Sequence, residues 1–212
     1  MRKSTRQDPL DQELSPQKAN LLRHAYHLIG EHGVHDVSLE DIAAEAGVSK
    51  GILLYYFKSK ENLVLATMRW ALSATAERIR TAMTGAHTPE AKVLAMIDAI
   101  WVGAEVNRTF YLTYIDLAGH AARNESFTEL SATFHSIVDR LYAEAVRAGV
   151  EAGAFSVESV EEAASAVRAI IDGLFLQWLQ DPAWKRRHAA YRDICKRAVI
   201  TYLARAAGSA AP

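Results

Sequence analysis

The sequence predicts an all-α protein, and three observations carry that prediction. Its 212 residues include five prolines and eleven glycines, while Ala, Leu, Glu and Arg are plentiful, a balance that favours helix. Apolar residues recur at three- and four-residue intervals in segment after segment. No stretch shows the sustained two-residue alternation of a half-buried strand, and no internal repeat is evident. Start and stop signals divide the chain into about nine helices.

Composition bounds the class of protein further. Half of the residues are apolar, enough to build a sizeable core. The longest apolar runs fall far short of a membrane span, and no charged-then-apolar leader opens the chain. A cytoplasmic protein with no membrane partner is expected. The single cysteine, Cys195, excludes an internal disulfide framework and suits a reducing compartment. Net charge is −1, which gives no pointer to nucleic acid. Residues 1–63 hold eight Lys/Arg against nine Asp/Glu, so that half is not basic either. The local distribution is more informative. Arg2, Lys3 and Arg6 precede the first acid, and Lys50, Lys58 and Lys60 cluster with no acid between Gly47 and Lys60. A local basic edge can meet phosphates where a groove passes.

Each element has its own signals. Residues 1–14 mix charges with little apolar content and read as a flexible arm. Ser15-Pro16 supplies a cap and a first-turn proline for a helix with Ala19, Leu22, Ala25, Tyr26 and Ile29 on one face, ending at Gly30 or Gly33. Ser38 with Asp41 is a short capping-box variant that opens a second helix, stopped by Gly47. Ser49 caps a third over roughly 50–56, and Ser59 a fourth running towards Met83. Thr88-Pro89 opens a fifth, which a short aromatic segment with Phe110, Tyr111 and Tyr114 follows. Asn124 or Ser126 caps the next, ending near Gly153. Ser159 with Glu162 then opens a helix that Asp181-Pro182 breaks, and a last one runs to about Arg205. Residues 207–212 read as a disordered tail.

The segment Ser38-Leu39-Glu40-Asp41-Ile42-Ala43-Ala44-Glu45-Ala46-Gly47-Val48-Ser49 fits a helix-turn-helix. That motif needs a short first helix, small residues where the helices cross, and a tight turn. Ala43 and Ala46 supply the small surface, Gly47 the turn, Val48 an apolar plug and Ser49 the second cap. The second helix would lie in the major groove of double-stranded DNA, its first side chains reaching base edges. Any single cap or lysine here is better explained as an ordinary helix cap or a solvated face. The linked string is not.

Residues 18–63, ending in Ser49-Lys50-Gly51-Ile52-Leu53-Leu54-Tyr55-Tyr56-Phe57-Lys58-Ser59-Lys60-Glu61-Asn62-Leu63, resemble the DNA-binding domain of the tetracycline-repressor (TetR) family. The resemblance implies an N-terminal three-helix helix-turn-helix domain over 15–62 and a C-terminal antiparallel helical bundle over 63–206 for ligand sensing and dimerisation. It further implies a homodimer on a near-palindromic operator, acting as a repressor and released by a small-molecule effector. Carried over residue by residue, Ser38 and Ser49 would meet phosphates at helix starts. Lys50 and Tyr55 would face the groove, with Gly51 allowing close backbone approach, and Tyr56 and Lys60 would bind phosphate beyond it. Leu54 departs from the family's usual tyrosine, which puts one phosphate contact in doubt. The Arg2-Lys3-Arg6 arm could enter a minor groove or simply be a disordered terminus.

Residues 85–181 resemble the regulatory domain of the choline-responsive BetI-like branch, most closely at Ile170-Ile171-Asp172-Gly173-Leu174-Phe175-Leu176-Gln177-Trp178-Leu179-Gln180-Asp181-Pro182. Trp101, Phe110, Tyr114, Phe134 and Trp178, with the carboxylates of Asp116 and Asp172, would suit a pocket for a cationic ligand. The competing reading makes the aromatics core and pairs Asp116 with His120. Val167, Ile171 and Leu174, then Ile194, Ala198 and Tyr202, form stripes on the last two helices expected to build a two-fold four-helix interface. No catalytic constellation, cofactor or metal site is expected. Motifs for di-iron, zinc-protease, P-loop and nucleophile-elbow chemistry are missing, and the pairs His24/His27 and His32/His35 lack further ligands. A helical enzyme, a metal-responsive protein, or an interaction protein that has lost DNA binding remain the rival classes.

Overall fold

Nine helices and no strand make up the described residues, 14–121 and 125–205 of a computed structural model. The basic arm, the tail 207–212, Asn124 and the side chains of Phe134, His120 and His135 lie outside that description.

Most helices begin where a short polar side chain can satisfy an orphan N–H. Helix α1 (Pro16–His32) starts with Ser15 Oγ accepting from Lys18 N at 3.3 Å, and ends at Gly33 with φ +86°. Helix α2 (Leu39–Glu45) carries the full Ser38/Asp41 capping box. Helix α3 (Lys50–Phe57) has Ser49 at its N-cap, but the serine side chain makes no cap bond. Ser59 Oγ accepts from Asn62 N at the start of α4 (Lys60–Thr84), and Thr88 Oγ from Ala91 N at the start of α5 (Pro89–Ile100). Helices α6 (Ala104–Ala121) and α7 (Glu125–Glu151) follow. Helix α8 (Val160–Gln180) is capped by Ser159 Oγ accepting from Glu162 N, and α9 (Trp184–Arg205) closes the described chain. Two expectations change. The aromatic segment is a full helix of 18 residues, α6, and Ser126 lies inside α7 rather than capping it.

The chain packs as two compact units, residues up to Ala74 with Thr109–Phe134, and Thr75–Arg108 with residues from His135 onward. The helix-turn-helix segment 15–62 lies wholly within the first. There Leu21, Leu22, Ala25 and Ile29 of α1 are buried, as are Ile42 and Ala43 of α2, Leu53 and Phe57 of α3, and Leu63 of α4. Each large apolar side chain so enclosed contributes about 1.5–3 kcal/mol. Helix α6 comes close to α1 at Gly30, where an added Cβ would overlap the Thr109 methyl. In the second unit the core is Val93 and Ile97 of α5, Ile137, Leu141 and Val146 of α7, Val167, Ile171 and Phe175 of α8, and Cys195, Val199 and Leu203 of α9.

Gly149 in α7 is required by space. A Cβ there would fall inside the ring of Phe155, which is itself buried. Gly149→Ala should lower stability by about 1–3 kcal/mol, the usual result of overpacking, read as a fall in Tm by differential scanning calorimetry. An unchanged Tm would show that Phe155 can swing aside without loss.

Candidate nucleic-acid interface

Helix α2 hands over to α3 through Ala46 and Gly47. Gly47 N donates to Ala44 O at 3.1 Å and Val48 N to Ala43 O at 2.9 Å. Gly47 takes φ +66°, yet an added Cβ would meet nothing within 4 Å. Glycine is needed there for backbone conformation and not for room. The turn sends α3 away with Leu53 and Phe57 inward and Lys50, Gly51, Leu54, Tyr55 and Lys58 outward. Tyr55 is 71% exposed, a large ring left uncovered on a helix whose other aromatics, Tyr56 and Phe57, are half-buried and buried.

Several of the expected DNA contacts have partners within the protein. Ser38 Oγ donates to Asp41 Oδ2 at 2.6 Å and accepts from Asp41 N at 3.1 Å, while Ser38 N donates to the same carboxylate at 2.8 Å. The hydroxyl proton is thereby committed to the cap, and these bonds hold the Asp41 carboxyl below the usual range. The Lys50 ammonium pairs with Glu40 of α2 at 2.5 Å. Tyr56 donates its hydroxyl to Gln17 Oε1 at 2.7 Å, and Lys60 Nζ reaches His35 O at 3.4 Å. Gly51 is exposed, with Ser49 Oγ the nearest atom to a hypothetical Cβ at 3.6 Å. Lys58, part of the basic edge expected from the sequence, donates to Tyr55 O at 3.0 Å and lies 5.5 Å from the Tyr55 ring centroid. Gln17 and Glu40 were missed, because neither lies at helical spacing from its partner.

Two family models match this chain. The model of bacterial regulatory proteins of the tetR family covers residues 21–67, and that of the BetI-type transcriptional repressor C-terminal domain covers residues 89–204, more than half of the chain. The chain belongs to the TetR family, in its BetI-like branch. It is a helix-turn-helix transcriptional regulator of that family. The regulator BetI of Brucella canis is 28% identical over 172 residues, covering 78% of this chain and 81% of the relative. BetI of Serratia proteamaculans is 29% identical over 152 residues, covering 70% and 74% respectively. Among solved structures, a TetR regulator from Haloarcula marismortui superposes with a TM-score of 0.76 at 20% identity, covering 90% of this chain and 97% of that one. A regulator from Saccharomonospora viridis, solved in complex with choline, gives a TM-score of 0.75 at 22% identity, covering 89% and 96%. These two likenesses establish the fold.

In this TetR-family chain the residues expected around an effector divide between the two units. Phe110, Tyr114 and Asp116 sit in the first, on α6. The Phe110 and Tyr114 rings are parallel at 6.3 Å, and Asp116 is exposed. Trp101, Asp172 and Trp178 sit in the second. Trp101 stacks on Phe175 at 3.7 Å, and Trp178 meets both rings edge-on at 5.9 Å. Trp178 Nε1 donates to Trp184 O at 2.6 Å, and the Arg108 guanidinium covers the Trp184 ring at 4.6 Å. Asp172 is bonded to Arg168 at 3.3 Å, and the same arginine reaches Asp139 at 3.0 Å. Burial pushes the Asp172 carboxyl up, while the Arg168 charge and hydrogen bond pull it down. Burial also pushes the Cys195 thiol up to about 12.

His188 lies against both Trp101 and Trp178, 5.3 Å from each ring. Asn107 Nδ2 donates to Ile100 O at 2.8 Å and its Oδ1 accepts from Gly103 N at 3.3 Å. The amide orientation is therefore set, and His188 Nε2–H must donate to that oxygen across 2.8 Å.

The expected dimer stripes need one correction. Val167 and Ile171 are 0% exposed within a single chain, so they belong to the protomer core and offer no surface to a partner. The stripe they share with Phe175 is the most apolar face of α8, and that face packs inward. Leu174, Ile194, Ala198 and Tyr202 remain half-buried, the last three lining a shallow groove on α9 with Arg197 and Thr201.

Two outcomes are expected. Tyr55→Ala should weaken DNA binding by about 1–3 kcal/mol if its ring meets bases, measured by fluorescence anisotropy, with little change in Tm because the ring is mostly exposed and its contacts with Tyr56 and Lys58 lie at the surface. The second concerns pH. Burial, then the Arg192 charge, holds His188 below the usual histidine range, against an opposing pull from Glu105. Below about pH 6.5 the unfolded chain takes up this proton before the folded one does, so stability falls as pH drops through that value. Thermal melts at several pH values should show the decline, and His188→Gln should remove its share. An identical pH profile for the variant would rule His188 out.

Proposed function

We propose that the protein is a ligand-responsive repressor which binds a near-palindromic operator as a homodimer and is released by a small-molecule effector. The observation that carries the reading is the outward face of α3. It leaves Lys50, Gly51, Leu54 and Tyr55 at the surface on a short helix held rigidly behind Gly47. Side chains in that arrangement suit a major groove. Ser49, whose hydroxyl makes no cap bond, would turn to a phosphate. Tyr56 and Lys60 would exchange Gln17 and His35 for phosphate oxygens.

Dimerisation would use the half-buried residues of α8 and α9, Leu174, Ile194, Ala198 and Tyr202. Gly173, beside them, has open space where a Cβ would stand, which favours close approach of another helix. A two-fold dimer sets two recognition helices about 34–36 Å apart, one turn of DNA or a multiple of it. An effector that binds one arrangement better than the other shifts the population. Helix α4, continuous over 25 residues from Lys60, is the element we assign to carry that change. No helix among the described residues is long and apolar enough to cross a membrane, and action in the cytoplasm on DNA is part of the proposal. A regulator working this way performs no covalent chemistry.

Sequencing DNA fragments retained by the purified protein, followed by gel shifts on an enriched fragment, tests the reading. Binding should fall about a thousandfold or more between roughly 50 and 200 mM salt if several phosphates are neutralised per dimer. Adding choline, the ligand bound to the Saccharomonospora viridis relative, is the first effector trial. Quenching lost in Trp101→Phe or Trp178→Phe would put those rings beside the ligand. Failure to bind any duplex at low salt would leave a helical interaction protein in place of a regulator of its own operator.

A further inference from the structure

We propose that Glu40 is a specificity-determining residue of the DNA-binding surface, holding the Lys50 ammonium as an internal stand-in for a DNA phosphate and so suppressing sequence-independent binding. The proposal rests on the operator-binding reading above. Glu40 is the second residue of α2 and Lys50 the first of α3, so their pairing spans the turn and is no ordinary helical i,i+4 contact. The pair is solvent-accessible, with 48% of the Lys50 side chain and 61% of the Glu40 side chain exposed. Surface pairs of this kind add little to stability, so the fold does not need it.

Lys50 is the only Lys or Arg in α3. A carboxylate oxygen accepting from an ammonium has the charge and geometry of a phosphate oxygen in the same place. The Lys50 hydrogen bond is also the leading reason that the Glu40 carboxyl is held below its usual range. A phosphate can capture Lys50 only by displacing Glu40 or by sharing the ammonium with it. Binding to arbitrary sequence is nearly all phosphate contact, whereas operator binding adds base-edge contacts from side chains such as Tyr55. Weakening the phosphate contribution therefore removes a larger share of non-specific affinity than of specific affinity. The balance of eight Lys/Arg against nine Asp/Glu over residues 1–63 fits a surface in which phosphate attraction is restrained.

The test uses full-length wild type, E40Q, K50Q and E40Q/K50Q with a labelled duplex of mixed sequence, read by anisotropy over a salt series. E40Q leaves the Ser38/Asp41 box in place, and circular dichroism checks the fold. E40Q should tighten binding at low salt by about twofold to fivefold per protomer, and steepen the salt slope by about 0.9 for each lysine released. In the K50Q background the same change should have almost no effect. On an enriched fragment, the ratio of specific to mixed-sequence affinity should fall in E40Q. Equal tightening with and without Lys50 would make Glu40 a diffuse background charge and overturn the proposal, as would no tightening. Wild type binding DNA while E40Q changes nothing defeats only this inference. No binding by any of the four at the lowest salt defeats the operator reading, and this inference with it.

Discussion

The backbone of Gly47, at φ +66°, decides where the exposed side chains of α3 can stand. An L-residue there would carry a left-handed penalty of about 1–2 kcal/mol, although its side chain would find open space. The end of α3 passes through a second left-handed residue, and that one is not glycine. Lys58 has φ +69°. Its N–H donates to Leu54 O, and its ammonium reaches back to Tyr55 O. A cation bonded to a carbonyl at the helix C-terminus meets the negative end of the dipole, which offsets part of the strain that glycine would avoid. The recognition helix is thus bounded by two left-handed residues, one permitted by a missing side chain and the other supported by a long one.

In and around that helix the polar groups of the surface are largely occupied by the protein itself. Ser38 serves Asp41, Lys50 meets Glu40, Tyr56 meets Gln17 and Lys60 meets His35 O. Each exposed pair is individually weak. Together they hold side chains in defined places, which would lower the ordering cost of the proposed association with DNA. In that proposal the same bonds are exchanged on contact, so preorganisation and competition are properties of one set of contacts.

What could be read from the sequence followed the range of each interaction. Caps are local, and Ser15, Ser38, Thr88 and Ser159 all stand at helix starts as expected. The helix-turn-helix spacing is local too. Helix α6 was harder because it has no conventional cap. Asn107, from inside the helix, reaches back to Gly103 N and Ile100 O instead, and no start rule anticipates an amide acting in both directions. Lys50 and Glu40 are ten residues apart across a turn, a distance at which periodicity says nothing. The stripe of Val167 and Ile171 was legible as apolar, but apolarity does not say which of two buried surfaces it serves. Within one chain the strongest stripe fills the core, and weaker, mixed residues such as Leu174 and Tyr202 are left outside.

The aromatic residues show the same limit more sharply. Aromatic faces beside a carboxylate are the ingredients of a cation site, and the sequence offers both. In the folded chain Trp101 and Phe175 stack at 3.7 Å, a separation that leaves no gap between them for a ligand. His188 already lies against Trp101 and Trp178, and Asp172 is bonded to Arg168. In this arrangement the rings spend their faces on one another and the carboxylate on a guanidinium. An effector that used these groups would have to reopen the stack or displace His188 from Asn107. That bond joins α9 to the start of α6, so displacing it would free the Asn107 amide that closes the first turn of α6.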